Sequence, residues 1–180
     1  MSPSYLFVIQ ALKNLNSKGL LHVNDKLICH LQNTYNYLKS WGNKEALCLA
    51  RLYHAVYSTD GYDSGLIDLN HRSKIVDLIG KEAENIVYYY AACDRNYVYP
   101  QIGRSRDLIY RHRFTGEEKL LELPLFCNLI ELTFANEIEI VSNNLDFKEK
   151  HRDWYVELFN RSKQYVSEQA FQSYQDVFDV

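Results

Sequence analysis

The chain has 180 residues, of which 47% are hydrophobic and 24% charged, and its formal net charge at pH 7 is −3. This length and composition suit a single globular domain, 1–180, and the charge argues against a protein that binds nucleic acid or an acidic membrane through excess positive charge. No stretch approaches the roughly 18 apolar residues of a membrane helix, and the first residues lack the features of a signal peptide.

Cysteine and tyrosine are the most informative residue types. Cys29, Cys48, Cys93 and Cys127 are scattered without a C-x-x-C pair. This pattern predicts small buried thiols in a reducing compartment, and we expect the protein to be cytoplasmic. The fifteen tyrosines, against only three prolines and seven glycines, favour a helical domain whose tyrosine hydroxyls reach water or a polar cavity.

Apolar residues spaced by three and four predict helices along most of the chain. The predicted helices cover 4–15, 25–42, 44–57, 70–79, 81–94, 125–142, 147–161 and 162–178. Asn43, Asn70 and Asp146 are predicted as N-caps, and Gly42 as a left-handed C-cap. Two short runs around a Thr-Gly turn within 108–123 predict a small β-hairpin. The fold class is therefore all-α, with one small hairpin.

Three ionisable side chains lie at positions that suggest a common site. His30 lies three residues after Leu27 and His54 four residues after Ala50, so both belong to or border an apolar stripe. Asp94 is predicted at the C-terminal end of a helix, where a buried carboxylate faces the negative end of the dipole and favours a nearby cation. Two imidazoles and one carboxylate suit Zn²⁺, Mn²⁺ or Fe²⁺. The alternative is that each is an ordinary hydrogen-bonded residue of the core.

Several short motifs surround these residues. They are H-x-x-x-T at 30–34, A-R-L-Y-H ending at His54, I-G-K-E-A-E at 79–84 and C-D-R at 93–95. Over about residues 20–96 this pattern resembles the HD superfamily of metal-dependent phosphohydrolases, and most of all the branch that hydrolyses the guanosine alarmone pyrophosphate. With H-A-x-Y-x-T at 54–59, it also resembles a bacterial helical family known only as a domain of unknown function (DUF6817-like).

The resemblance implies that His30, His54 and Asp94 are metal ligands. The HD superfamily has its defining aspartate directly after the second histidine, whereas this chain has Ala55. Metal affinity is therefore expected to fall unless another side chain substitutes, and the candidates are His22, as a fourth ligand, Asp60 and Glu84.

Further side chains are expected to act on the substrate. Asp60 and Glu84 are the candidate catalytic acids, and Asp60 would accept a proton from the attacking water. Tyr62 offers a hydroxyl, and Arg95 follows the aspartate of the C-D-R motif. Arg72 lies at a predicted helix start, where backbone N–H groups and a guanidinium can hold phosphate. The alternatives are an ordinary turn at Asp60 and a solvated first helical turn at Arg72.

These observations predict a metal-dependent hydrolase of a small phosphorylated or nucleotide substrate, with metal-bound water as the nucleophile. One alternative is a non-catalytic binding or regulatory module whose metal site has decayed, which the alanine after His54 would mark. Another is an iron-dependent oxygenase of the HD type. The aromatic helices 147–161 and 162–178 are expected either to complete the core or to form a homodimer face.

Overall fold

The computed structural model describes residues 10–11, 25–62 and 67–180, so most of the predicted helix 4–15 and the candidate ligand His22 lie outside the described residues. The described part confirms the mostly helical class. Its α-helices are α1 (Asp25–Ser40), α2 (Glu45–Tyr53), α3 (Arg72–Ile79), α4 (Lys81–Ala92), α5 (Arg95–Val98), α6 (Leu123–Ser142), α7 (Leu145–Ser162) and α8 (Glu168–Phe178). None of these helices is long and apolar enough to cross a membrane.

The predicted hairpin is also present. Strand β1 (Ile109–Arg111) pairs antiparallel with β2 (Glu118–Leu120), and Gly116 in the connecting turn has a φ of 74°. Short 3₁₀ helices at Leu69–His71, Tyr99–Gln101 and Lys163–Tyr165 precede α3, follow α5 and precede α8. In the part of the chain that the structure describes, the named strands cover six residues, all in this hairpin.

The turn between α1 and α2 explains why these helices run side by side. Gly42 has a φ of 79° and its N–H bonds the carbonyl of Lys39 at 3.1 Å, which confirms the left-handed C-cap. Asn43 does not cap α2: the N-cap residue is Lys44, without a side-chain cap bond, and the amide nitrogen of Asn43 donates to Glu131 on α6 at 3.0 Å. Helix α2 ends at Tyr53, earlier than predicted, and leaves His54 as its C-cap residue.

Two other N-caps lie two residues before the predicted ones. The side chain of Asp68, not Asn70, accepts the first free N–H of its helical segment, at 2.7 Å from the Asn70 nitrogen. Similarly, Asn144, not Asp146, accepts the N–H of Phe147 at 3.0 Å. Both predictions chose the wrong one of two cap-forming residues, since either residue type can cap.

Helix α6 is the central element of the core and packs against α1, α2, α4, α7 and α8. The terminal helices complete this core, because the ring of Phe134 on α6 lies 4.1 Å from that of Phe159 on α7, centroid to centroid. Tyr174 and Phe178 on α8 are also fully buried. A homodimer through these helices remains a prediction.

All four cysteines are free thiols. Cys48 and Cys93 are buried, as the sequence predicts, and Cys127 is partly buried. The prediction was wrong for Cys29, which is exposed on α1 between the inward-facing Ile28 and the partly buried His30.

Candidate functional site

Two adjoining cavities form one cleft, whose walls come from α1, the end of α2, α4, α5, α6 and α7. The inner cavity has a volume of about 360 Å³ and the outer cavity about 550 Å³, so each falls in the range of small-molecule sites. Both are bounded by Asp60, Gly61, Arg95 and Glu137. The inner cavity is also lined by His30, His54, Ala55, Tyr62, Tyr90 and Asn136, and the outer cavity by Tyr99, Arg104, Trp154, Tyr155 and Arg161.

His54 lines the inner cavity, and one of its two ring nitrogens bonds the backbone. Its Nδ1 lies 3.0 Å from the carbonyl oxygen of Arg51. Because a carbonyl only accepts, Nδ1 carries the hydrogen and Nε2 of the neutral ring is an acceptor. Burial lowers the pKa of His54 well below its usual 6.5, and the positive charge of Arg51 and the neighbouring His30 lower it further. His54 is therefore a neutral base at pH 7.

His30 has both ring nitrogens engaged. Its Nε2 lies 2.8 Å from Nη2 of Arg51, and its Nδ1 contacts the carboxylate of Glu139. An arginine only donates, so Nε2 accepts and Nδ1–H donates to Glu139. Burial and Arg51 lower the pKa of His30 more than Glu139 raises it. The rings of His30 and His54 are neighbours, with centroids 5.8 Å apart.

Arg95 lines both cavities, and one nitrogen of its guanidinium lacks a hydrogen-bond acceptor among the described residues. Its backbone N–H donates to Asp60 at 2.9 Å, and its guanidinium lies over the ring of Tyr90, 4.9 Å from the centroid. Its Nε is buried and has no hydrogen-bond partner among the described residues. The hydroxyl of Tyr90 is also buried without a partner in this part of the chain.

The acidic side chains of the cleft are, by contrast, already hydrogen bonded. One carboxylate oxygen of Glu137 accepts from the amide of Asn136 at 2.9 Å, and the other accepts from the hydroxyl of Tyr155 at 2.6 Å. Asp60 accepts the N–H of Arg95. Among the described residues of the cleft, the buried polar atoms without a partner include Nε of Arg95 and the hydroxyl of Tyr90, which are donors.

Five residues predicted for the site lie together in this cleft. They are His30, His54, Asp60, Tyr62 and Arg95. The aspartate of the predicted metal triad, Asp94, does not line either cavity.

Asp94 lies at the start of α5 instead of at the end of a long helix. Its carboxylate accepts the N–H of Tyr97 at 3.1 Å and bonds the guanidinium of Arg111 at 2.9 Å. At this end of a helix the dipole favours a negative charge. The cation that the sequence argument required is therefore supplied by the hairpin arginine, and the reason for a metal at Asp94 disappears.

Glu84 and Arg72, predicted for catalysis and substrate binding, bind each other away from the cleft. Arg72 donates to both oxygens of Glu84, at 2.6 and 2.8 Å, and the hydroxyl of Tyr57 donates at 3.0 Å. Glu84 is only 2% exposed. This ion pair, in which Glu84 is buried and Arg72 partly exposed, ties α3 to α4.

The side chains of the cleft do not fit a divalent metal. Among the described residues, no group of three His, Cys, Asp or Glu side chains is arranged to hold one. Nε2 of His30 already accepts from the guanidinium of Arg51, and the carboxylate of Asp94 already binds Arg111. Ala55, which stands where the HD pattern has its aspartate, lines the cavity with no donor atom in its side chain.

Sequence reasoning missed four polar members of this region, Arg51, Tyr90, Asn136 and Glu139. The sequence does mark these positions, since each places a polar side chain in an otherwise apolar part of a helix. Arg51 precedes the buried Leu52 and Tyr53, and Glu139 follows the buried Ile138. A charge at such a position needs a partner in the core, which could have identified these residues as a buried network.

The lowered pKa values of His30 and His54 predict that stability falls in mild acid. Below pH 6.5 these histidines bind protons in the unfolded chain but stay neutral in the folded chain. The free energy of unfolding therefore decreases as the pH falls below 6.5 and has its full value above that range. The slope is at most about 1.4 kcal/mol per pH unit for each histidine. Urea unfolding of wild type and His54→Gln between pH 5.5 and 7.5 measures it, and an equal slope in both would contradict the assignment to His54.

The family model described as "Domain of unknown function (DUF6817)" matches residues 11–95, slightly less than half of the chain. The matched segment includes α1 to α4 and both cleft histidines. No curated protein and no solved structure matches the chain significantly. The chain is thus similar over this segment to a family whose activity is unassigned.

Proposed function

We propose that this protein is a binding module that holds a small anionic molecule, such as a phosphorylated metabolite or a nucleotide, in the cleft without a metal ion. The observation that supports this proposal is the position of Arg95, whose guanidinium lies between the two cavities with a buried Nε that has no acceptor among the described residues.

A partly buried cation without an acceptor is unfavourable, because burial removes water that would otherwise solvate it. An oxyanion of a ligand would supply the missing acceptors, since the planar guanidinium matches carboxylate and phosphate oxygens. The two carboxylates that line both cavities with Arg95 do not pair with its guanidinium: Asp60 accepts the backbone N–H of Arg95, and Glu137 accepts from Asn136 and Tyr155. The ligand is therefore expected to bring its negative charge to Arg95.

Two more groups define the chemistry of the ligand. The hydroxyl of Tyr90 is a second donor without a partner in the described part, and it suits an oxyanion held beside Arg95. Nε2 of His54 is an acceptor, so the ligand is expected to offer it a hydroxyl or N–H group. The outer cavity, with Tyr99 and Trp154 in its wall, provides aromatic surface for the rest of the molecule.

The hydrolase and oxygenase hypotheses both require a metal held by His30, His54 and Asp94. The donors of the described residues are not arranged in that way, and for this reason we favour the binding module over either enzyme. A metal-free reaction is the second candidate function. It is supported by Nε2 of His54, a neutral base directed by its tautomer toward the inner cavity.

Ligand binding by wild type and Arg95→Gln tests the proposal. We expect inorganic phosphate, carboxylic acids, sugar phosphates or nucleoside phosphates to raise the melting temperature of the wild type, with affinity then measured by calorimetry. Arg95→Gln should weaken binding about 10- to 100-fold, as expected for the loss of a charged hydrogen bond. Tyr90→Phe should weaken it by a smaller factor.

Two variants serve as matched controls. Arg152→Gln removes an arginine that bonds the carbonyl of Phe178 outside the cleft, and Tyr110→Phe removes a buried hydroxyl that bonds the carbonyl of Tyr89, also outside the cleft. Both should bind as the wild type does. Equal affinity of Arg95→Gln and wild type for the ligand found would overturn the proposal, and turnover that depends on His54 would favour the second candidate.

A further inference from the structure

Arg51 carries the buried positive charge closest to the two histidines. Its side chain is fully buried, and its Nη2 contacts both Nε2 of His30 at 2.8 Å and Oδ1 of Asn136 at 2.7 Å. Burial lowers the pKa of Arg51 to about 10, which still leaves it protonated at neutral pH. The guanidinium is thus a permanent cation inside the core.

A carboxylate on the far side of His30 balances this charge. Glu139 contacts Nδ1 of His30 and accepts from the amides of Asn33 at 3.1 Å and Asn143 at 2.9 Å. Arg51, the neutral ring of His30 and Glu139 form a chain from cation to anion, which we call the buried relay. Its charges sum to zero, and this is the condition under which buried charges are tolerated.

A divalent metal would need the same lone pair that Arg51 uses. Nδ1 of His30 carries the hydrogen donated to Glu139, so Nε2 is the only nitrogen of this ring that can bind a metal. A zinc ion would lie about 2.0–2.1 Å from that nitrogen. The guanidinium nitrogen, 2.8 Å from the same atom, occupies this direction and repels a second cation.

We propose that Arg51 is the resident cation of this centre, fixed by the fold where a metal would have to bind, and that it keeps divalent metals away from His30. The proposal does not depend on which ligand the cleft holds. It predicts that metal binding is regained when the guanidinium is removed, because His30, Asn136 and the charge of Glu139 are then left without a cation.

Metal binding by the full chain tests this proposal. Wild type, Arg51→Met and Arg51→Gln are titrated with Co²⁺, with its visible absorption and metal content as readouts, and with Zn²⁺, with the melting temperature as readout. We expect either Arg51 variant to bind one ion roughly tenfold or more tightly than wild type, the size of effect that changing a residue hydrogen bonded to a metal ligand produces. Adding His30→Ala to the variant should abolish the gain.

Three results would overturn the proposal. The first is a wild-type chain that binds one metal ion and loses it in His30→Ala. The second is a folded Arg51 variant that gains no metal affinity. The third needs no variant: nitrogen NMR of the wild-type histidines reports the tautomer of His30, and a proton on Nε2 would exclude the bond from Arg51. If neither Arg51 variant folds, metal binding by wild type and His30→Ala and the tautomer of His30 still test the proposal.

Discussion

Glu139→Ala is expected to lower the free energy of unfolding by about 3–5 kcal/mol, the range found when one partner of a buried ion pair is removed. Glu139 is 6% exposed and accepts from His30, Asn33 and Asn143. Its loss leaves the charge of Arg51 in the core without a balancing anion. Urea or guanidinium unfolding at pH 7 measures the change.

Glu157→Ala is the matched control, because Glu157 pairs with Arg104 on the surface, where both side chains are more than half exposed. Exposed pairs contribute less than about 1 kcal/mol. If Glu139→Ala also lowered the free energy of unfolding by less than about 1 kcal/mol, the buried relay would not be a stabilising unit. Combining Glu139→Ala with Arg51→Met should destabilise by less than the sum of the two, since the pair is then absent as a whole.

Glu84→Ala is expected to destabilise the fold while leaving ligand binding unchanged. The variant removes the acceptor of the buried Tyr57 hydroxyl and of Arg72, and an unsatisfied buried group costs about 1–3 kcal/mol. Because Glu84 lies outside the cleft wall, the affinity for any ligand found with the wild type should stay within experimental error.

Denaturant unfolding and calorimetry on the same Glu84→Ala preparation make this comparison. The catalytic role that the sequence suggested for Glu84 predicts the opposite result, with normal stability and impaired function. Arg72→Gln should behave like Glu84→Ala with a smaller loss of stability, because the side chain of Arg72 is about one-third exposed and can be solvated.

The periodicity of apolar residues predicted the helices well, because each helix must bury one stripe whatever its neighbours are. In α4, for example, Ile86, Val87 and Tyr90 lie on one stripe and are all buried in the structure. The hairpin followed from its turn residues for the same local reason. Cap assignments were less reliable, since Asn70 and Asp146 each have a second cap-forming residue two positions earlier.

The candidate site was predicted only in part. His30 and His54 do meet, because the helices that carry them are joined by a turn of a few residues around Gly42 and must run side by side. Asp94 was predicted as the last residue of a helix. That helix ends at Ala92 instead, because Cys93 is extended, and Asp94 is the N-cap of the next helix. No local pattern predicts that Arg111, seventeen residues later, supplies its cation.

The sequence alone therefore determined the helical class, the hairpin and the pairing of α1 with α2, which brings the two histidines together. These features depend on residues that are neighbours along the chain. Only the tertiary structure decided which charges meet. Arg51 bonds His30 across two helices, and Glu139 reaches the same ring from more than a hundred residues away. Long-range packing selects such partners, and no pattern of neighbouring residues along the chain predicts them.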